Sequence, residues 1–341
     1  MKKYIGAAVL LFFFLLFVPI LACLGEGFAP KSNQSDSSKT QNINADDTFD
    51  LLDESTGEII TVSARDYLLG AVASEMPPSF HSEALKAQAA ASYTYAYRRR
   101  AQQEATPDES LKGADFSVNT AEKEGYFPQD QAKEQWGNQF DASWARIEDA
   151  VDEVLGKLIV YQGEPVLAVY HAMSGGTTET AQVYWGNDVP YLQSTDSPGD
   201  ALAPQYETAS TFTTDEMKQK LTSSFSDLTL GEDPSTWFGQ PELSAAGTVT
   251  SMPVGDQTVS GRDLRTALGL RSANFSLSLA DNVFTVTVHG YGHGVGLSQY
   301  GADYMARQGS KWQDIIRHYY QNVEITTAPG YSDTLSDTTS G

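Results

Sequence analysis

Residues 69–95 read LGAVASEMPPSFHSEALKAQAAASYTY and set Glu75 at the join of two apolar segments, directly before Met76-Pro77-Pro78. Upstream, GEIITVS (57–63) alternates and ends on Ser63, with Asp66 three residues on. That spacing predicts a capped helix from Ala64 to about Glu75. On it Tyr67, Leu68, Ala71 and Val72 share a face, and Glu75 lies next along that face. Pro77 keeps Met76 out of the α region, so the helix must stop there. A second helix is expected from about Ser82 to Arg99. Its Ala84, Ala87, Ala89, Ala90, Ala91 and Ala96 are small enough for close backbone approach, which marks a central helix. Arg98-Arg99-Arg100 would then be its solvated end, where cations suit the helix dipole.

A carboxyl at a helix C-terminus, on an apolar face, meets the negative end of the dipole and loses part of its hydration. Both effects favour the protonated form and raise the pKa, the state a general acid needs at neutral pH. The competing reading is an exposed carboxylate at a frayed helix end.

Farther along, a helix is expected around Gln139 to Leu155, and strand-like runs dominate after it: KLIVYQGEPVLAVYHA, GTVTSMPVG, QTVSG and FSLSLADNVFTVTVHG. Helices follow from about Ser298 to Gln308 and from Trp312 to Tyr319. Mixed short strands and helices without βαβ alternation indicate an α+β fold, with the helical segment that carries Glu75 packed on a β-rich core of mixed strands. The folded domain is expected over 49–326, preceded by a flexible polar linker over 25–48 and followed by a disordered tail over 327–341.

Residues 5–24, IGAAVLLFFFLLFVPILACL, form an uncharged run of about the length a bilayer requires. Lys2 and Lys3 predict a single-pass anchor with a cytoplasmic N-terminus and an extracytoplasmic domain. Cleavage near Ala22 and lipidation at Cys23 are the alternatives. Cys23 is the only cysteine of the 341 residues, so the exported part has no intrachain disulfide. A formal net charge of −22 excludes a nucleic-acid partner, which requires clustered Lys and Arg.

Two further constellations carry candidate chemistry. In 171–200, His171, Ser174, Glu179 and Asp188 are the ingredients of a nucleophilic triad, yet Ser174-Gly175-Gly176 lacks the strand, elbow and helix context of a serine hydrolase. Tyr184, Trp185 and Tyr191 are suited to lining a sugar-binding groove, or they anchor a long loop. In 286–309, glycines alternate at 290, 292, 294 and 296 between a strand and a helix, without a phosphate-loop ending. His289 and His293 have ligand spacing but no third partner. Either the turn lets a polymer approach His293, Ser298, Gln299 and Tyr300, or His293 is a packed structural residue.

Four motifs in register, VASEMPPSFHSEALKAQAAASYTYAY, HAMSGGTTETAQVYWGNDVPYLQSTDSPGD, SGRDLRTALGLRSANF and GYGHGVGLSQYGADYMARQG…IIRHYY, resemble the stage II sporulation protein D family, which includes amidase enhancers. The resemblance spans about Ala64 to Val323. It implies a membrane-anchored lytic transglycosylase that cuts stem-peptide-stripped peptidoglycan glycan strands during spore engulfment. By the same resemblance Glu75 is the catalytic acid, and it would generate 1,6-anhydro ends without a second carboxylate. The implied substrate contacts are Tyr93, Tyr95, Ser174, Gly175, Gly176, Trp185, Tyr191, Gln193, His293, Ser298, Gln299, Tyr300 and Tyr320. The implied partners are an amidase and a multispanning membrane protein.

The chain departs from the family at Tyr93, where members carry Arg, and at Gln193, where the residue is often basic. Some members bind zinc between the second helix and the Ser-Gly-Gly motif. GADFSVNTAEKEGYFP (113–128) has no Cys or His, so no metal and no cofactor are expected. The alternative function is a non-catalytic, peptidoglycan-binding enhancer of an amidase. A serine hydrolase would instead be labelled by a fluorophosphonate probe.

Overall fold

The computed structural model describes residues 47–331. The expected anchor over 1–24, nearly all of the linker and residues 332–341 lie outside the described residues. Among the described residues no helix is long and apolar enough to cross a membrane.

Strands β1 (Thr48–Asp53) and β2 (Ile59–Ser63) pair antiparallel and lead into α1 (Ala64–Glu75). Ser63 caps α1 by accepting from the Asp66 N–H, and Met76 ends the helix in an extended conformation at φ −125°. Both boundaries agree with the cap and proline signals. Helix α2 (Ser82–Ala105) runs on past the expected end at Arg99. Arg98–Arg100 are therefore inside the helix and not at a solvated terminus. Arg98 donates to the Pro165 carbonyl, and Arg100 donates to Asp47 and to the Thr48 carbonyl while covering the Phe49 ring.

After β3 (Phe116–Val118), which joins β1 in parallel, come α3 (Gln129–Trp136), α4 (Phe140–Val154), β4 (Lys157–Tyr161), β5 (Glu164–Pro165), β6 (Tyr170–His171) and α5 (Ala181–Trp185). Residues 207–289 then form a second hydrophobic cluster around Met217, Leu221, Trp237, Phe284 and Val286. It contains β7 (Glu207–Thr213), α6 (Thr214–Ser224), β8 (Glu242–Leu243), β9 (Val249–Val254), β10 (Gln257–Ser260), α7 (Gly261–Leu268), β11 (Phe275–Ala280) and β12 (Val283–His289). Its two sheets have the strand orders β11-β12-β7 and β10-β9-β8. The chain then returns to the first cluster with β13 (Leu297–Ser298), α8 (Gln299–Arg307), α9 (Trp312–Tyr319) and β14 (Glu324–Thr327). β13 pairs in parallel with β6, and β14 pairs antiparallel with β4.

The α+β class holds, but its arrangement differs from a helix laid on one β-rich core. The centre of the main cluster is α2 itself, packed by α1, α4, α8, α9 and β4. The six alanines named above are all fully buried, and their small side chains let neighbours approach on several sides. Among the described residues the strands divide into five small sheets.

The fold also extends beyond the expected limits. Asp47 accepts from Tyr93 Oη at 2.7 Å, Arg100 Nη1 at 2.8 Å and Tyr331 Oη at 3.0 Å, and Ala328 is buried. A buried carboxylate thus ties the first strand, α2 and the C-terminal segment together.

Close packing on α1 gives one stability prediction. A Cβ on Gly70 would meet Tyr126 Cε2 at 2.3 Å. Gly70→Ala is expected to lower stability by about 1–3 kcal/mol through overpacking, despite a helix-propensity gain of about 1 kcal/mol. A thermal melt equal to or above the parent's would mean that Tyr126 simply swings aside.

Candidate active site

Glu75 lines a cleft of about 490 Å³ whose other walls are Glu54, Tyr95, the 117–119 and 124–125 segments, Val169, Tyr170 and His293. The termination of α1 at Met76 puts Glu75 on the last turn, half-buried, where its side chain leaves the apolar face and enters this cleft. Its Oε2 accepts from Gln299 Nε2 at 3.1 Å. Burial raises the carboxyl pKa; the Gln299 N–H opposes that shift, and the negative charge of Glu124 adds to it. The exposed-carboxylate alternative therefore fails. The direction agrees with the expectation, but the resolved causes are desolvation and a neighbouring carboxylate.

His293 reaches the cleft through the glycine turn. Gly292 and Gly296 have φ of +111° and +73°, and a Cβ on Gly296 would meet the Val169 carbonyl at 2.2 Å. Only glycine lets the backbone pass this close to the β6 segment. Val295 N–H donates to His293 Nδ1 at 3.0 Å, which leaves the ring proton on Nε2. Burial, with the Arg265 charge, depresses its pKa to about 4. The ring is a neutral cleft wall that also packs on His171, Tyr184 and Trp185, with centroids at 5.6, 5.8 and 5.3 Å. Both sequence readings of His293, cleft-facing and packed, describe one residue.

The other expected contacts divide sharply. Tyr95 lines the cleft beside Glu75. Gln299 is nearly buried and faces Glu75. Tyr93 has no exposed surface and donates to Asp47, so the substrate contact expected there is corrected to a packing role. Tyr320 is likewise fully buried and donates to the Val169 carbonyl. Tyr191 is a loop anchor whose hydroxyl accepts from Leu167 N–H. Gln193 donates to Asp188 and to the Val189 carbonyl, and Tyr300 packs edge-on against Phe80. Trp185 lines a separate pocket of about 170 Å³ with Tyr184 and Arg262. Gly175 and Gly176 sit beside Asn274 and Tyr206 of the 207–289 segment.

The triad ingredients are not a triad. Ser174 Oγ and Ser298 Oγ each donate to the fully buried Asp200 at 2.6 Å. His171 Nδ1 donates to the Val295 carbonyl at 3.1 Å, and Glu179 accepts from Ser244. Ser174 thus has a carboxylate partner and no imidazole base.

Sequence reasoning missed Glu54, Glu124 and Tyr170, which line the cleft with Glu75. Glu54 follows β1 and Glu124 follows β3, and only the pairing of those two strands brings them to Glu75. Among the described residues no group of three His, Cys, Asp or Glu side chains could hold a metal ion. The arrangement can protonate an oxygen and then accept a proton at one carboxyl, beside further carboxylates that favour positive charge.

A family model described as stage II sporulation protein matches residues 53–161, which include Glu75, Tyr95 and Glu124. The chain is 37% identical over 271 residues to stage II sporulation protein D of Bacillus subtilis (strain 168), covering 79% of this chain and 76% of that protein. It is 37% identical over 278 residues to stage II sporulation protein D of Bacillus amyloliquefaciens, covering 81% and 78%. A more distant relative is the amidase enhancer of Bacillus subtilis (strain 168), 27% identical over 309 residues, covering 76% of this chain and 40% of the enhancer. Identity at the level of the first two, sustained across most of both chains, means that this chain belongs to the stage II sporulation protein D family.

Proposed function

We propose that this chain is a peptidoglycan lytic transglycosylase acting on stem-peptide-stripped glycan strands in sporulation, held at the membrane by residues 5–24 with its folded part outside. The carrying observation is the half-buried Glu75 carboxyl in an open cleft, with its pKa raised by burial. Glu75 donates its proton to the oxygen joining MurNAc C1 to the following GlcNAc, and that C–O bond breaks. The resulting oxocarbenium character at C1 is favoured by the negative charge of Glu124 in the same cleft. The MurNAc C6 hydroxyl then adds to C1 and returns its proton to Glu75. No water is consumed, and one side chain serves as acid and then base.

The second reading, a glycan-binding partner that stimulates an amidase, is supported by the similarity to an amidase enhancer. Mass spectrometry of stripped strands incubated with the full-length chain separates the two. New 1,6-anhydro ends are expected from the parent and not from Glu75→Gln. Intact strands that nonetheless retain the protein would sink the enzymatic reading and leave the binding one.

A further inference from the structure

Both N–H groups of the Gln299 amide are committed. Nε2 donates to Glu75 Oε2 at 3.1 Å and to Gln88 Oε1 at 3.3 Å. Gln88 in turn donates from Nε2 to Ser92 Oγ, one helical turn on in α2, at 3.1 Å. Gln88 and Ser92 have no exposed surface, and Gln299 is 5% exposed. Each amide fixes the next. Turning Gln299 over would set its oxygen against Glu75 Oε2 and Gln88 Oε1, and turning Gln88 over would oppose two NH₂ groups. The chain of bonds is directional, and it ends on one oxygen of the cleft carboxyl.

A carboxyl oxygen that already accepts an N–H is the poorer site for a proton, because a hydroxyl hydrogen there would face the donor's hydrogen. The acidic proton therefore belongs on Oε1. We propose that Gln88, which does not line the cleft, is a positioning residue: it holds Gln299 as a donor to Oε2 and so confines the transferable proton of Glu75 to Oε1. This rests on the general-acid reading of Glu75.

The titratable groups facing the carboxyl come from every surrounding element: Glu54 after β1, Glu124 after β3, Tyr95 on α2, Tyr170 on β6 and His293 in the glycine turn, with Tyr67 on α1 itself. The donor bonded to Glu75 is Gln299. Its effect opposes both burial and the Glu124 charge. In Gln88→Leu the Gln299 amide loses the acceptor that orients it. Its oxygen can then turn to Glu75 and hold the proton on Oε2, favouring the protonated form in the wrong place.

The test titrates the Glu75 carboxyl by ¹³C NMR in the full-length chain, assigning its signal by disappearance in Glu75→Gln. In Gln88→Leu the midpoint is expected to move up, and the alkaline limb of the cleavage rate should move with it. kcat should fall on the order of tenfold with KM unchanged, since the residue touches no substrate surface. Ser92→Ala, a small change within the helix, should give the same direction with a smaller amplitude and guards against misfolding of Gln88→Leu. A folded Gln88→Leu or Ser92→Ala whose Glu75 midpoint stays at the parent value overturns the proposal, even if glycan is cleaved. A shifted midpoint in a chain that cleaves no glycan supports the positioning and removes the transglycosylase reading.

Discussion

Glu75→Gln is expected to lower formation of 1,6-anhydro ends by roughly 10²–10⁴-fold, the usual contribution of a positioned general acid, while binding to stripped glycan persists. Gln is nearly isosteric and its carbonyl can still accept from Gln299, so the cleft should keep its shape. The parent's rate should fall on the alkaline side as Glu75 ionises, at a pH above the ordinary carboxylate range because burial and Glu124 raise its pKa.

The same shift fixes the sign of a stability effect. A carboxyl whose folded pKa lies above its unfolded value contributes stability that is complete below the unfolded pKa and lost as pH rises through the folded pKa. Glu75→Gln lacks that loss. The variant should therefore melt above the parent at pH 8 and level with it near pH 4. A parent that melts above Glu75→Gln at pH 8 would show that ionised Glu75 stabilises the fold, contrary to a strained acid site.

Asp200→Ala is expected to be the most damaging single change away from the cleft, costing about 3 kcal/mol, or roughly 5–10 °C in Tm. Asp200 has no exposed surface and accepts from Ser174 N at 2.7 Å, Ser174 Oγ at 2.6 Å and Ser298 Oγ at 2.6 Å. Removing it strands three buried donor groups. Burial raises its pKa and partly offsets these bonds, so Asp200→Asn, which keeps one acceptor oxygen, should cost less. Ser298 caps α8 by accepting from Gly301 N–H, and the next residue is Gln299. Loss of Asp200 should thus loosen the donor to Glu75 and lower kcat in the molecules that remain folded. A melt unchanged from the parent's would mean that Ser174 and Ser298 find other partners.

Much of the local structure was readable from residues 57–99 because its determinants act over a few positions. The Ser63–Asp66 cap, the stop imposed by Pro77 and the alanine-rich face are short-range steric and hydrogen-bonding effects. Helix α2 was read too short because the arginines suit a helix end only when they are solvated. Here Arg98 and Arg100 reach partners at Pro165, Asp47 and Thr48, and no local signal announces those. Tyr93 and Tyr320 were expected to meet substrate for a related reason: a tyrosine hydroxyl looks alike in sequence whether it faces a sugar, Asp47 or the Val169 carbonyl.

The sequence by itself determined the α+β class, the ends of α1 and the presence of a carboxyl at its last turn, since helix starts and stops are written in neighbouring residues. The tertiary structure alone decided what surrounds that carboxyl. Glu54 and Glu124 arrive through the pairing of β1 with β3, His293 through the glycine turn against β6, and Gln299 from a helix 224 residues away in the chain. Desolvation and hydrogen bonding depend on distance in space, so the chemistry of Glu75 was fixed only when the chain closed around it.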